Sequence, residues 1–537
     1  MKSWKDQLKD LKQVLGKLAK EEKRNEKLDK VDFELPESGR DYGAPSVGAS
    51  TVQNPIDRSV KPNVTSTSVG KSHETLRKAA TSAFAPRIDG AGTLNMPEWI
   101  HVGRGLQHPD HLGEKAVPMV VRVGVDFGTA FTKVAIRTGS DLVYVDWSVV
   151  TGDESPTGRF VVPGLVVRVP EGDYCWQRSS ESKIYANLKL PLIDMANSDE
   201  CPVATLAYLA LVIRYARAFL YQHTDIGRKL VARSLRWELN IGCPTQPHED
   251  PNVVQFFKRI SHTAWRLAAE DDLRESNILS AWMMELPDSG LEAEPGVVPE
   301  FVAQIAGYLD SLHVSEGLHA LIDIGAATLD VATFNVVIPN DLDTTPRIPI
   351  FFSAVLPLGT HYLNDNRHSL LDVEPTWDDT APVEPADSFS DRNGISQSEV
   401  VAADSDFLSR VSSCITSVIY ATHTNSRGDP QSAAWREGLP IFVTGGGASC
   451  DLYRRAIEMA HQELRQRLGS SSRFRFVELN PLGGNVPVTA SDSSGRMTVA
   501  IGLTSDAESI ALVVPHRDIE PITYGKKERV DHTELYV

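Results

Sequence analysis

Cysteine is scarce in this chain, and it is nowhere arranged as a disulfide or metal-binding pattern. The five cysteines are Cys175, Cys201, Cys243, Cys414 and Cys450, an odd number without any CxxC pair. Scattered thiols of this kind exclude a disulfide-stapled small domain and predict reduced cysteines in a cytoplasmic protein.

Long uninterrupted apolar runs are also missing. The start of the chain is charged and has no continuous apolar core, so a signal peptide is not expected. The most apolar helical stretch, residues 202–220, carries Arg214 and Arg217, which predicts a buried helix and no membrane span. An excess of positive charge is absent too, because the formal net charge is −17, and this argues against direct nucleic-acid binding.

The first thirty residues are an exception to the acidic balance. Ten Lys and Arg against six Asp and Glu give them a charge of +4, so the remainder carries −21. Their large apolar residues recur at alternating spacings of four and three, as on one face of a helix. These residues are Trp4, Leu8, Leu11, Leu15 and Leu18. Residues 1–35 are therefore predicted to form a charged amphipathic helix that either binds a partner protein or packs on the globular part of the chain.

Large apolar side chains are rare between residues 36 and 95, where Ser, Thr, Gly, Pro and Asn dominate. Such a segment buries too little surface to offset its ordering entropy, so residues 36–116 are predicted to be a flexible linker. The linker contains His101, His108 and His111, but no cysteine or carboxylate completes a metal-binding set, and exposed loop histidines are expected.

Beyond the linker, residues 120–136 (VVRVGVDFGTAFTKVAI) have the composition of a phosphate clamp. An apolar strand leads to Asp126, turns through Gly128 and Thr129, and returns as a second strand that carries Lys133. A glycine-containing tip lets backbone N–H groups approach an anion closely. An aspartate at the end of a strand can hold a divalent cation through water.

A second copy of this pattern strengthens the prediction. Residues 319–334 (HALIDIGAATLDVATF) again contain a strand, an aspartate (Asp323), a glycine, a threonine (Thr328) and a returning strand. The two aspartates lie almost two hundred positions apart, which indicates two similar domains facing each other. A third stretch, residues 439–449 (LPIFVTGGGAS), leads a strand into three glycines that would let a base or ribose lie against the backbone.

This succession of motifs resembles the actin and DnaK-type chaperone superfamily of nucleotide-binding proteins, over about three quarters of the chain. The resemblance implies an α/β fold with two ribonuclease-H-like (actin-like) lobes around a central nucleotide cleft, preceded by a flexible N-terminal extension. It implies lobe I at residues 117–316, lobe II at 317–495, a return helix to lobe I at 496–514 and a polar tail at 515–537.

The resemblance also implies ATP and Mg²⁺ as ligands. Asp126 and Asp323 would hold the hydrated Mg²⁺, and Asp323 would also steer the attacking water. Lys189 would either orient that water, as a lysine does in the chaperones, or be a solvated lysine; Glu300 would order water near the metal. The residues expected to contact the nucleotide are Gly128, Thr129, Ala130, Lys133, Gly325, Ala326, Ala327, Thr328, Gly359, Thr360, Gly445, Gly446 and Gly447.

The sequence departs from the chaperones in three places. Glu300 follows Pro299 where the chaperones have Glu-Pro, and the second clamp reads Gly-Ala-Ala-Thr in place of Gly-Gly-Gly-Thr, which predicts slow hydrolysis or binding without turnover. The residues after 515 are too few for the chaperones' peptide-binding domain. The acidic, Pro- and Ser-rich residues 372–399 are predicted to be a surface insertion.

Three functions follow from the resemblance. The first is a DnaK-like ATPase switch without a peptide-binding domain, whose nucleotide-dependent lobe closure is read by partner proteins. The second is an actin-like, filament-forming ATPase, which Lys133 favours because actin carries a lysine at the end of its first clamp. The third is a small-molecule kinase, which would need an additional aspartate base that the sequence does not reveal.

Overall fold

The protein is described here by a computed structural model. The residues that it describes are 94–105, 118–156, 158–196, 200–230, 233–244, 250–284, 294–311, 313–339, 345–374, 383–469, 473–477, 479 and 494–521. All of them belong to one compact unit. The predicted N-terminal helix, most of the predicted linker and most of the predicted polar tail lie outside these residues.

Lobe I is built on a mixed sheet in which one strand runs against the others. Its strands are β1 (Pro118–Phe127), β2 (Phe131–Thr138), β3 (Asp141–Tyr144), β4 (Val162–Pro163), β8 (Ser234–Cys243) and β9 (Gly296–Pro299), and a small second sheet contains β5 (Leu165–Arg168), β6 (Tyr174–Cys175) and β7 (Lys183–Ala186). The main order is β3-β2-β1-β8-β9, with β4 beside β2. Strand β2 is antiparallel to β1, whereas β8 and β9 are parallel to it, which is ribonuclease-H-like topology.

Lobe II repeats this arrangement. Its strands are β10 (Gly317–Ile324), β11 (Leu329–Val336), β12 (Arg347–Leu356), β13 (Leu439–Thr444), β14 (Phe474–Phe476) and β15 (Leu512–Val514). The order is β14-β13-β10-β11-β12-β15, and β11 is the strand that runs against its neighbours. Without the edge strand β15, this is the order of lobe I. The prediction of two ribonuclease-H-like lobes is confirmed.

Helices cover and connect the two sheets. Those of lobe I are α1 (Ser148–Thr151), α2 (Leu192–Met195), α3 (Val203–His223), α4 (Asp225–Leu230), α5 (Pro251–Leu267), α6 (Glu275–Met283) and α7 (Glu300–Leu309). Those that follow are α8 (Thr360–Leu371), α9 (Ala386–Asn393), α10 (Gln397–Thr424), α11 (Ala434–Glu437), α12 (Asp451–Leu468), α13 (Ser494–Gly502) and α14 (Ala507–Ile510). Short 3-10 helices span Glu98–Arg104 and His516–Asp518.

Helix α3 forms the centre of the lobe I core. Among the described helices, it is the one long and apolar enough to cross a membrane, but 83% of that apolar window is buried inside the protein. Two buried arginines lie on it: Arg214 donates to the carbonyl oxygens of Ala268 and Glu270 after α5, and the Arg217 guanidinium lies 3.6 Å from the Trp265 ring centre. The unpaired carbonyls at the end of α5 therefore stabilise the Arg214 charge inside the core.

The structure of residues 94–105 corrects the prediction that residues 36–116 form one flexible linker. They form the first 3-10 helix, and it packs against α3 with Leu94 and Ile100 buried. Gly103 lies so close to α3 that an added Cβ would sit 1.8 Å from the Arg214 carbonyl oxygen. Apolar residues are rare in the predicted linker, but residues 94–105 contain enough of them to anchor this stretch to α3.

Two helices cross between the lobes. Helix α7 packs on the lobe II sheet, and α13 packs on β1 and β2 of lobe I. They touch where a Cβ added at Gly502 would meet the Ala303 carbonyl oxygen at 1.9 Å. Glycine is required at this crossing because a larger residue would push the helices apart.

Candidate functional site

The two predicted clamps form hairpins at equivalent positions of the two sheets. Hairpin 1 joins β1 to β2 through residues 128–130, and hairpin 2 joins β10 to β11 through residues 325–328. In each tip the glycine N–H donates across the turn, from Gly128 to the Phe131 carbonyl (3.1 Å) and from Gly325 to the Thr328 carbonyl (2.8 Å). The two similar sequence motifs therefore form two hairpins with the same backbone structure.

Both hairpins face one cavity of about 1490 Å³ between the lobes. All of the predicted catalytic, metal and nucleotide-contacting residues line it except Ala327 and Gly359. The cavity exceeds the few hundred to about 1,000 Å³ typical of small-molecule pockets, so its volume is sufficient for a nucleotide-sized ligand. The central geometric expectation, that Asp126 and Asp323 share one gap, holds.

Hairpin 1 contributes a closely paired acid and base. Asp126 and Lys133 are directly opposite each other in the ladder of β1 and β2, and the Lys133 Nζ lies 2.5 Å from the Asp126 Oδ2. The Asp126 side chain is 7% exposed and that of Lys133 is 20% exposed, so the pair is largely shielded from water. The tip is held from behind by the Gly164 N–H, which donates to the Ala130 carbonyl at 2.8 Å.

Hairpin 2 places its aspartate in a network of uncharged polar side chains, whereas the aspartate of hairpin 1 is paired with a lysine. Gln304 of α7 donates to the Asp323 Oδ2 at 2.9 Å and accepts from the Thr444 hydroxyl at 3.2 Å. Burial raises the pKa of Asp323, although the Gln304 hydrogen bond and the Lys133 charge act in the opposite direction. The Asp126 charge also raises it, so the two aspartates are near enough to repel each other.

The backbone of hairpin 2 is oriented by the start of α8. The N–H groups of Gly359, Thr360 and His361 donate to the carbonyls of residues 327, 325 and 326, at 3.0, 3.1 and 2.8 Å. Because a trans peptide unit points its carbonyl and its N–H in opposite directions, the N–H groups of residues 326–328 are directed away from α8. Ala326 and Thr328 line the cavity on that side. The tip is therefore an arrangement of donors suited to an anion.

Ala327 and Gly359, which were predicted to contact the nucleotide, support the tip from behind and do not line the cavity; of the two, Ala327 adds its backbone N–H to the tip. Ala327 is 1% exposed and packs into lobe II, and a Cβ on Gly359 would meet the Ala326 carbonyl oxygen at 2.4 Å. Gly359 therefore makes room for a backbone that passes closely, and a larger residue would not fit there.

The three glycines after β13 serve different purposes. Gly445 has a φ of +85°, and a Cβ there would lie 2.3 Å from the Asp323 Oδ1, so this residue leaves room for the carboxylate. A Cβ on Gly447 would meet the Ile324 side chain at 2.4 Å. Gly446 is exposed to the cavity with no atom within 4 Å of an added Cβ, which makes it the most open surface of the three.

Lys189 and Glu300 form an ion pair in the wall of the cleft. Lys189 lies in the turn after β7, and its ammonium donates to the Glu300 Oε1 at the first residue of α7. Burial alone would lower the pKa of Lys189, but the Glu300 carboxylate outweighs it and raises that pKa. Both predicted residues therefore reach the site, and they reach it bound to each other.

Two residues of the site, Asp330 and Gln304, were not predicted. Asp330 lies opposite Asp323 in the ladder of β10 and β11, and its Oδ1 is buried without a hydrogen-bond partner. Burial, followed by the Asp323 charge, holds the pKa of Asp330 well above its usual range. A sequence signal existed for each: Asp330 is two residues after Thr328 on the returning strand, and Gln304 is one helical turn after Glu300.

The charges around the hairpins fit a hydrated divalent cation better than one held by protein ligands alone. The carboxylates of Asp126, Glu300, Asp323 and Asp330 outnumber the ammonium groups of Lys133 and Lys189. No group of three His, Cys, Asp or Glu side chains in the described residues is arranged to hold a metal ion directly. A Mg²⁺ ion usually keeps several waters and takes one or two carboxylates, which is what this site offers.

Comparisons with known proteins add little beyond the fold. No family model matches the chain, and no curated protein matches it. Among solved structures, one that it resembles is the crystal structure of MreB 5 of Spiroplasma citri bound to AMPPNP, with a TM-score of 0.36 and 13% identity, covering 72% of this chain and 94% of that one. The assignment of the fold rests on the strand order and register described above.

Proposed function

We propose that the cleft binds a nucleoside triphosphate together with Mg²⁺ and that the protein is an ATPase of actin-like fold. One observation carries this proposal: two equivalent hairpins from opposite lobes present Asp126 and Asp323 to one cavity. The oriented N–H groups of hairpin 2 suit phosphate oxygens, and the excess of carboxylates suits a cation bound to those phosphates.

The residues divide into three roles. Asp126 and Asp323 hold the hydration shell of the ion, while Thr129 and Thr328 donate hydroxyls to phosphate. When bound, Mg²⁺ supplies neutralisation of phosphate charge. Lys189, oriented by Glu300, places a positive charge beside the transferred phosphoryl group, and Asp323 accepts a hydrogen bond from the attacking water. The Ala326 methyl group borders the same space, which favours slow turnover.

Because both lobes contact one ligand, its terminal phosphate biases the equilibrium between open and closed lobes. Two alternative functions use such an equilibrium: a switch that partner proteins recognise, and assembly into filaments. Lys133 in the cleft, paired with Asp126, favours the second, since it occupies the position where actin carries a lysine.

The test of the ligand is thermal or chemical unfolding with and without ATP–Mg²⁺. At a ligand concentration one hundred times the Kd, the wild type should gain about 2.7 kcal/mol of stability. Asp323→Ala should lose the Mg²⁺-dependent part of this gain. The control is Asp406→Ala, a side chain on α10 that is 75% exposed and does not line the cavity. An unchanged gain in Asp323→Ala would show that the metal assignment is wrong.

The two functions are separated by sedimentation. A filament-forming protein pellets with ATP–Mg²⁺ and stays in solution with Asp323→Ala. A switch remains in solution with either protein, while ATP–Mg²⁺ changes its pattern of limited proteolysis. A protein that neither pellets nor changes its proteolysis pattern contradicts lobe closure.

A further inference from the structure

Helix α7 reaches into both lobes with two polar side chains that lie one helical turn apart. Glu300, its first residue, accepts a hydrogen bond from Lys189 of lobe I. Gln304, four residues later, donates to Asp323 of β10 and accepts from Thr444 of β13, both in lobe II. Residues four positions apart lie on the same face of a helix, and both side chains line the cavity. One helix between the lobes therefore presents a contact to each of them at the hairpins.

The amide of Gln304 is unusual for its place on α7. The other residues from 301 to 306 are apolar and buried, and Gln304 itself is only 5% exposed. Burying an amide costs free energy unless its polar atoms are hydrogen-bonded. An apolar side chain could fill the same space. What glutamine adds is a donor and an acceptor directed at the ends of two strands.

The two hydrogen bonds fix the direction in which the amide points. The Thr444 hydroxyl donates to the Oε1 of Gln304 at 3.2 Å, so the Nε2 faces Asp323 and donates to its Oδ2 at 2.9 Å. The reverse orientation would place Oε1 against an ionised carboxylate, which has no proton to donate. Asp323 and Thr444 are also direct partners in the parallel ladder of β10 and β13. Gln304 therefore joins the ends of both strands, immediately before hairpin 2 and the turn of three glycines.

Both oxygens of Asp323 are held in place by this arrangement. Oδ2 is bonded to the Gln304 amide, and Oδ1 lies beside Gly445, where an added Cβ would be 2.3 Å away. The last torsion of an aspartate is broad when nothing restrains it, and a hydrogen bond to one oxygen with close packing at the other narrows it. The amide is uncharged, so it orients Asp323 without neutralising it. In hairpin 1, by contrast, Lys133 pairs with Asp126.

We propose that Gln304 is the positioning residue of the cation site and holds the Asp323 carboxylate in the orientation in which it meets the hydration shell of Mg²⁺. The inference rests on the proposed function, because it assumes that Asp323 faces a cation bound to phosphates. It adds that the geometry of this carboxylate is set from α7, the helix that also holds Lys189 through Glu300. Hydrogen-bond partners of metal-binding side chains typically contribute about ten- to a hundredfold in metal affinity.

The choice of cation separates orientation from packing. Mg²⁺ requires near-ideal octahedral geometry, whereas Ca²⁺ accepts irregular geometry and a variable number of ligands. We therefore expect Gln304→Met, which keeps the length of the side chain and removes both hydrogen bonds, to weaken binding of ATP–Mg²⁺ by about tenfold or more. Binding of ATP–Ca²⁺ should change by less than about threefold. Calorimetry on the full chain measures both affinities.

Ile305→Val is the matched control. Ile305 is fully buried on α7 beside Gln304 and does not line the cavity. Removing one of its carbons disturbs the packing of the helix without touching the hydrogen bonds to Asp323. Both affinities of this variant should stay close to those of the wild type. Urea unfolding without ligand shows that the two variants are folded.

A second variant tests the same arrangement without a change in α7. Thr444→Val removes the hydroxyl that orients the amide and keeps the shape of the side chain. It should weaken ATP–Mg²⁺ in the same direction as Gln304→Met and to a smaller extent. Thr444→Ser, which retains a hydroxyl, should lie closer to the wild type. Equal affinities of these two variants for ATP–Mg²⁺ would contradict the role of the oriented amide.

The outcomes separate the two proposals. A wild type that binds ATP with neither cation overturns the proposed function. A wild type that binds ATP, with a Gln304→Met variant that behaves like Ile305→Val or loses the Mg²⁺ and Ca²⁺ complexes to the same extent, overturns the role of Gln304 alone.

Discussion

The two hairpins have the same backbone plan and opposite charge balance. Opposite its aspartate, hairpin 1 carries Lys133, whereas hairpin 2 carries a second acid, Asp330. Hairpin 1 is therefore close to neutral without a ligand, and hairpin 2 holds two carboxylates beside three N–H groups. The repeated fold places the same positions in both lobes. The residue opposite the aspartate differs between the hairpins, so hairpin 2 has the excess of acidic side chains and would take the cation under the proposed function.

The largest expected effect on stability comes from replacing Lys133 of hairpin 1 and Asp330 of hairpin 2, the residues that lie opposite the two aspartates. Lys133→Met leaves Asp126 shielded without a partner and should cost about 3 to 5 kcal/mol of unfolding free energy. Asp330→Asn, at the equivalent position, removes a buried acid whose raised pKa disfavours folding at pH 8, so it should gain about 1 kcal/mol of unfolding free energy at that pH. Urea unfolding of both variants without nucleotide measures the difference.

The control for this comparison is the double variant Asp126→Asn, Lys133→Met. It removes both charges of hairpin 1 and should be more stable than Lys133→Met alone. Changes of the same sign in the two single variants would mean that the hairpins do not differ electrostatically.

The second-largest effect is on the pH dependence of stability, and it comes from the residues four positions before Asp126 and Asp323. Arg122 of lobe I is part-exposed and paired with Glu238 at 2.5 Å, whereas His319 of lobe II is fully buried between the rings of Phe334 and Phe442. Burial lowers the pKa of His319 to about 4. The unfolded chain therefore binds more protons between about pH 6.5 and 4, and about 3 kcal/mol of stability is lost as the pH falls through that range.

The measurement is the free energy of unfolding at several pH values. His319→Phe keeps the ring stacking and should flatten the loss between pH 6.5 and 4, whereas Arg122→Gln should leave it in place. A loss of the same size in His319→Phe would assign the effect to other groups.

The smallest effect separates two neighbouring alanines of hairpin 2. Ala327→Gly removes a buried methyl group and should cost about 1 to 2 kcal/mol, from lost burial together with the flexibility of glycine. Ala326→Gly changes a side chain that borders the cavity, so it should cost less than about 1 kcal/mol and raise the rate of ATP hydrolysis. Stability and hydrolysis are measured on both; equal behaviour would mean that the Ala326 methyl group does not restrict the ligand.

The sequence was sufficient to predict the two hairpins, because each hairpin is formed by residues that are close together in the chain. Asp126 and Asp323, with their glycines and threonines, lie within single stretches of about sixteen residues, and strand alternation fixes which side chains share a face. The same alternation would have identified Asp330. The pairing of Lys189 with Glu300 was not predictable, because it joins residues 111 positions apart through the packing of α7.

The predicted surface insertion, residues 372–399, shows the limit more clearly. Its composition is acidic and rich in Pro and Ser, which is typical of a surface loop. Residues 383–387 nevertheless line the cleft, because Arg367, which is held by Asp404 on another helix 37 positions away, donates to the Glu384 carbonyl. Composition describes what a segment can bury by itself, and it cannot reveal an anchor supplied by another element. The short stretch 94–105 was misread as linker for the same reason, since its partner is α3.

The crossing of α7 and α13 at Gly502 has a mechanical consequence. An added Cβ does not fit between the helices there, and we infer from this close contact that it acts as a pivot, about which the lobes rotate while sliding of the helices is resisted. Glu300 lies only three residues, about 4.5 Å, along α7 from this pivot, whereas a lobe of some two hundred residues has a radius of gyration of roughly 16 Å. A rotation that shifts the ion pair of Glu300 by a fraction of an ångström therefore displaces the outer faces of the lobes about four times as far. Under the proposed function, small events at the phosphates would thus be amplified at the surfaces that other molecules can touch.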